Sequence, residues 1–330
     1  MTSVRCSRLF ALALAGLLAG GAFWSGGAVL AQNQGPKPLF SLYGKPVDKS
    51  VWASLVRVLV GRDDRVVLQT PHGLSFSASG DLYVTDTQAG RVMVFTGSGK
   101  FLRTFGDAGT TRLRTPTGVA VAGGKVYVAD SGWSQIMVFN EGGKFLARFG
   151  LKGSGKGEFD RPGGLVADPA RGRLYVVDTG NHRVQVLDLE GQFITQLGQR
   201  GEDDGQFNFP TKVTLDAQGR LYVVDTLNFR IQVFSPEGEF LFKFGQLGDA
   251  IGDLARPKGI AVDARGRIYV AEAVFHVVEV FDPEGKVLFF FGEPGAEEGK
   301  FKLPSEIALD AAGRVFVADS GNARVQVFGY

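Results

Sequence analysis

The chain has 330 residues, 36 basic against 34 acidic, with 44% hydrophobic and 21% charged residues, a composition ordinary for a globular protein. That balance gives no general attraction to nucleic-acid phosphates. Three histidines and one cysteine leave little material for a catalytic triad or a zinc site, whereas 47 glycines suit an architecture with many tight turns.

Arg5 and Arg8 open the chain, and an uncharged Leu- and Ala-rich stretch follows from Leu9 to Ala31. This order of charge and apolar run is that of a signal peptide over residues 1–31, with Val29-Leu30-Ala31 as the cleavage pattern and Gln32 as the new N-terminus. An uncleaved membrane anchor is the alternative, since about twenty apolar residues span a bilayer. Gly20, Gly21, Gly26 and Gly27 make the stretch a poor helix and favour cleavage. Cys6 precedes the apolar run, too early for a lipid-attachment cysteine. Cleavage removes that cysteine and two arginines, leaving 34 basic against 34 acidic residues. The mature protein is then expected to be periplasmic or secreted, with no stable membrane span. Residues 32–50 carry Pro and Gly and are expected to be an irregular lead-in to a domain over 51–330.

Next in order is Leu55-Val56-Arg57-Val58-Leu59-Val60-Gly61, which reads as a strand. After it a repeat begins at Pro71 and recurs at Pro116, Pro162, Pro210, Pro257 and Pro304, spaced about 45 to 48 residues apart, within the range of propeller repeats. The unit at Pro257 shows the pattern. Gly259 to Asp263 reads as a first strand and Ile268 to Ala271, after a Gly-Arg turn, as a second. Val277 to Phe281 and Val287 to Phe291 supply the third and fourth. β-Branched and aromatic residues fill these runs, and Gly, Pro, Asp and Asn punctuate them. Four strands per unit and six units predict an all-β, six-bladed β-propeller. The last unit ends after its third strand. Because Leu55–Gly61 aligns with Phe101–Gly106, it is expected to supply the missing fourth strand and close the ring.

The recurring Pro-x-Gly, Ala-Val-Asp, Gly-Arg-x-Tyr-Val-x-Asp, Asn-x-Arg-Val-Gln-Val-Phe and Phe-Gly-x-x-Gly segments resemble NHL repeats. The linkers Gly205–Pro210 and Gly299–Pro304 show the end of the unit clearly. The resemblance implies the fold but not one activity, since such propellers include protein scaffolds, RNA-binding domains and an amidating lyase. Thr70-Pro71-His72-Gly73 is similar to a metal-binding histidine segment of that lyase, peptidyl-hydroxyglycine amidating lyase. The resemblance implies two further histidines after the corresponding prolines, but Gly163 and Lys258 stand there, so the zinc chemistry is not expected to carry over.

Antiparallel connection places the loops before the first strand and between the second and third on one face. An acidic column ends the second strands at Asp86, Asp130, Asp178, Asp225, Glu272 and Asp319. A basic column opens the third strands at Arg91, Arg183, Arg230 and Arg324. A role repeated in nearly every blade is expected to be structural, a turn-capping Asp–Arg pair, and not a metal ring. His182 and His276 fall between second and third strands, too far from the axis to share a metal with His72.

The loops of that face depart most from the pattern in blades two, four and five. Trp133, Leu227, Phe229, Val274, Phe275 and His276 are therefore candidate partner-binding residues. The channel mouth is expected to carry His72, Lys212, Lys258 and Glu306, with Arg161 and Arg256 near. The resulting expectation is an exported, monomeric, non-catalytic scaffold without cofactor that engages a protein or peptide partner in the cell envelope and no nucleic acid. The alternative is a metal-dependent lyase or hydrolase with its site in the channel.

Overall fold

The computed structural model describes residues 37–43 and 67–329. Within them are six four-stranded antiparallel sheets, five of them with strands in chain order from the inside outward and the sixth completed on its outer edge by a strand from the N-terminal end. The first strands of successive units pack on one another, and that of blade six returns to that of blade one, so the sheets close into a ring. This is the six-bladed propeller expected from the repeat. Among the described residues no helix is long and apolar enough to cross a membrane.

Blades one to five are contiguous in sequence, at 71–105, 116–149, 162–197, 212–244 and 257–291. Blade six takes three strands from 304–329 and its outermost strand, Lys37–Tyr43, from the other end of the chain. Ring closure by an N-terminal strand is thus observed, but with a different segment. Lys37–Tyr43 lies inside the stretch read as an irregular lead-in, which corrects that reading for these residues. Leu55–Gly61, expected in this place, lies outside the described residues.

Two apolar wedges hold neighbouring blades together. The second strands present Tyr83, Tyr127, Tyr175, Tyr222, Tyr269 and Phe316, all essentially inaccessible. Tyr83 packs with Val119 and Val126 of blade two, and Tyr222 with Ile260 and Ile268 of blade five. The second wedge stands three residues before each first-strand proline: Leu68, Leu113, Phe159, Phe207, Leu254 and Phe301, each 0–1% exposed. Full burial of such side chains contributes roughly 2–3 kcal/mol apiece.

Toward the axis the blades come too close for side chains. A Cβ on Gly118 would lie 2.6 Å from the Gly163 carbonyl oxygen, and one on Gly73 2.9 Å from that of Thr117. Glycine two residues after the proline therefore reflects backbone crowding at the channel. Hydroxyls stitch the same seam: Thr87 donates to the Pro116 carbonyl at 2.7 Å, Thr117 to Pro162 at 2.9 Å and Thr226 to Pro257 at 2.9 Å.

Candidate functional site

In every blade the loop between second and third strands bonds to the linker entering the first strand. Thr87, Ser131, Gly180, Leu227, Ala273 and Gly321 donate their backbone N–H to Thr70, Thr115, Asp160, Asn208, Arg256 and Lys302. The two loop sets therefore share one face, as antiparallel connection requires.

The acidic column lies beneath this face, fully buried. Asp225 accepts the Asn208 backbone N–H at 2.7 Å, the Asn228 amide at 2.8 Å and the Arg230 Nε at 2.9 Å. Arg230 also donates to the carbonyls of Asp203 and Gln206. Asp178 with Arg183 and Asp319 with Arg324 repeat the arrangement, and Arg91 stands 3.4 Å from Asp86. Burial pushes the carboxyls of Asp178, Asp225 and Asp319 upward, and these bonds oppose it. The column is a set of clamps fastening linker to blade.

Blades two and five lack the arginine. In blade two, Asp130 accepts four backbone N–H groups instead, from Arg114, Thr115, Gly132 and Trp133. Blade five has Val277 in the arginine's place and Glu279 where blade four has Gln232. Gln232 accepts from Gly205 N–H at 2.9 Å and donates to the Gln206 carbonyl at 2.7 Å. Glu279 accepts from Gly252 N–H at 3.2 Å, but its buried Oε2 has no hydrogen-bond partner among the described residues. Burial, with Glu272 and Asp253 near, raises Glu279 to about 8. Burial also raises Glu272 to about 7.

At the channel, Lys212 of blade four and Glu306 of blade six form an ion pair across the intervening blade, both side chains buried. The glycines of the other blades leave the room: the Lys212 chain lies against Gly164, and the Glu306 backbone against Gly259. Glu306 also accepts the Ile307 N–H at 3.0 Å. Burial raises its carboxyl above the usual range, and Lys212 opposes the shift. Lys212 also lines a cavity of about 290 Å³ walled by first-strand residues, including Leu74, Leu165, Val213, Ile260 and Ile307. Phe76, Val262 and Leu309 line it also and are only half-buried.

His72 is half-buried at the same mouth, its Nδ1 2.8 Å from the Thr117 carbonyl oxygen. A carbonyl only accepts, so Nδ1 carries the proton. Burial lowers His72 to about 4; Lys258 and Lys212 add to the shift from blades five and four. Lys258 is lowered to about 8 by burial first and Arg256 second. Of the four expected mouth residues, Lys212 and Glu306 are in contact, and both lysines act electrostatically on His72. His182 and His276 are not part of this group. Each accepts a backbone N–H at Nδ1, from Phe209 at 3.2 Å and Leu303 at 2.9 Å.

Among the described residues no three His, Cys, Asp or Glu side chains are grouped to hold a metal ion. With Glu306 on Lys212, and Gly163 and Lys258 where further histidines would be needed, the donor set does not fit the amidating-lyase metal.

Of the six expected partner-binding residues, Trp133 is 50% and Leu227 44% exposed. Phe229, Val274, Phe275 and His276 are half-buried. The expected patch is therefore thinner than six exposed side chains. Trp133 lies flat, its indole N–H on the Arg112 carbonyl at 3.1 Å and the Arg114 guanidinium 5.5 Å from its ring. Sequence reading missed Arg114, Lys302 and Leu303, all exposed. Their signal was position: each stands one or two residues before a first-strand proline.

A family profile described as a 6-bladed beta-propeller matches residues 110–197, and the NHL-repeat profile matches residues 207–234 and 301–328. No curated protein sequence matches the chain. Among solved structures, a streptogramin B lyase is similar with TM-score 0.58 at 15% identity, over 79% of this chain and 93% of that one. A gluconolactonase from Xanthomonas campestris gives TM-score 0.60 at 19% identity, over 79% and 86%. An auxiliary nutrient binding protein from Bacteroides thetaiotaomicron gives TM-score 0.61 at 16% identity, over 80% and 69%. At such identities the likeness is one of fold.

Proposed function

Since the chain is an NHL-repeat six-bladed β-propeller, we propose that it is a binding scaffold that engages a protein or peptide partner outside the cytoplasm. Contact is through the face bearing Trp133 and Leu227, and the protein performs no chemistry of its own. One observation carries this reading. The acids of the column under that face hold backbone or arginine, and the acid in the channel is bound to lysine, whereas large apolar side chains, Trp133, Leu227 and Leu303 among them, stand exposed above them. Exposed aromatic and aliphatic anchors at loop tips are what interfaces use. Export is supported by the order Arg5, Arg8, then the apolar run to Ala31. The channel offers a hydrolase or lyase little, since Glu306 is neutralised by Lys212 and the His72 Nδ1 is spent on Thr117.

The test is affinity capture from an envelope fraction with the wild-type protein and with the Trp133→Ser/Leu227→Ser double variant. A stoichiometric partner retained by the first and lost by the second, with unchanged melting temperature, is the expected result. Equal retention by both would remove this face from consideration. Turnover of a lactone or lyase substrate abolished by Glu306→Gln would replace the scaffold with an enzyme.

A further inference from the structure

The charges on this face are unevenly placed. Next to the channel, the two residues before and the one after each first-strand proline include five cations: Arg114, Arg161, Arg256, Lys258 and Lys302. The same positions hold one carboxylate, Asp160, which lies 3.8 Å from Arg161. Farther out, where the linkers to blades four and six leave the outermost strand, the sign reverses, whereas the linker to blade three carries exposed Lys152 and Lys156. Glu202, Asp203 and Asp204 are exposed in the linker to blade four, and Glu297 and Glu298 in that to blade six. The whole chain carries only +2, so the pattern is a matter of placement and not of composition.

At the centre, Lys258 is half-buried, and no ion-pair or hydrogen-bond partner is found for its ammonium among the described residues. It stands one residue after its proline, the position that His72 holds in blade one, and it acts electrostatically on His72. Lys212, the other central cation, is already held by Glu306. A half-buried ammonium beside Arg256, on which the one opposing charge acting, Glu272, already accepts the backbone N–H groups of Arg256 and Val274, is an incomplete electrostatic site.

On the reading of the face as a partner-binding surface, we infer that the partner presents a carboxylate-rich segment whose acidic group enters the channel mouth to pair with Lys258, beside Arg256 and with Arg161 farther round the same face. The apolar Trp133 and Leu227 contact the flanks of that segment. A compact acidic peptide reaches the basic centre between the acidic linkers. A nucleic-acid strand would lay its phosphates across those linkers and be repelled by them.

Fluorescence anisotropy with a labelled hexaglutamate peptide tests this, with hexaglutamine and a short oligothymidylate as comparisons. Hexaglutamate should bind saturably and more weakly as salt is raised; hexaglutamine should not bind. Lys258→Gln should weaken binding about tenfold or more, and Arg161→Gln or Arg256→Gln about threefold, as a buried and a rim charge differ. Lys258→Arg should retain binding, which separates loss of charge from loss of fold. No binding to the wild-type protein, equal binding by Lys258→Gln, or oligothymidylate binding as tightly as hexaglutamate would each overturn the inference. A partner still captured by Lys258→Gln but lost on Trp133→Ser/Leu227→Ser would refute the acidic contact while leaving the scaffold reading intact.

Discussion

Glu279 sits where blade four has a glutamine, and the difference of one proton has a thermodynamic consequence. Its pKa is raised by burial to about 8 in the folded protein, against 4.5 as the ordinary value. Between those limits the folded state keeps a proton that the unfolded chain has released. Stability therefore falls as pH rises through this window, with the full contribution present only below it. Glu272, raised to about 7, acts in the same direction and is coupled to it. His72, lowered to about 4, acts oppositely, making the fold weaker as pH drops below its ordinary value of 6.5. Melting curves between pH 6.5 and 9 should thus show falling stability in the wild-type protein and a clearly shallower fall in Glu279→Gln. The amide also supplies the donor that Oε2 lacks, so the variant should be the more stable at pH 8, by about 1–3 kcal/mol. Parallel pH profiles for the two proteins would show that Glu279 is not the titrating group.

At the scale of the element, the linker and its blade form one unit, fixed by a buried wedge and a buried clamp. Phe207 is fully buried between blades, and the Asp225 carboxylate grips the next residue's N–H. Phe207→Ala should cost about 3–5 kcal/mol in urea unfolding. A cost below about 1 kcal/mol would mean that the wedge collapses without penalty. These elements were legible in the sequence because they repeat: the prolines, the acidic ends of the second strands and the Arg-Val-Gln-Val-Phe strands announced the blades and their clamps. The closing strand was misplaced for a physical reason. An outermost strand pairs on one side only, so its pattern constrains it weakly. Leu39-Phe40-Ser41-Leu42-Tyr43-Gly44 meets that pattern as Leu55–Gly61 does. The site was legible in part. The mouth residues followed from their place after the prolines, but the Lys212–Glu306 pair joins non-adjacent blades, which no local spacing reveals. Loop exposure was the least legible. Phe229 and His276 adopt left-handed backbone, with φ of 58° and 59°, and are half-buried, a geometry that residue type alone would not suggest.

For the whole molecule, closure depends on seven residues far from the rest of their sheet. Lys37–Tyr43 covers the last free edge, Arg324–Gly329. Deleting 37–43 should leave blade six with three strands, lower the melting temperature and expose an edge able to pair with a second copy. Sedimentation velocity should then show larger species than the intact protein gives. A deletion variant with unchanged melting temperature and sedimentation would mean that this strand is dispensable.

The Lys212–Glu306 pair also decides what kind of object the disc is. A propeller pierced from side to side behaves as a washer, and anything bound at one opening is felt at the other. Here a buried ion pair ties blade four to blade six across the channel, and its lysine is also one wall of the cavity of about 290 Å³. Mouth and cavity thus share a side chain, and a disturbance of the pair reaches both.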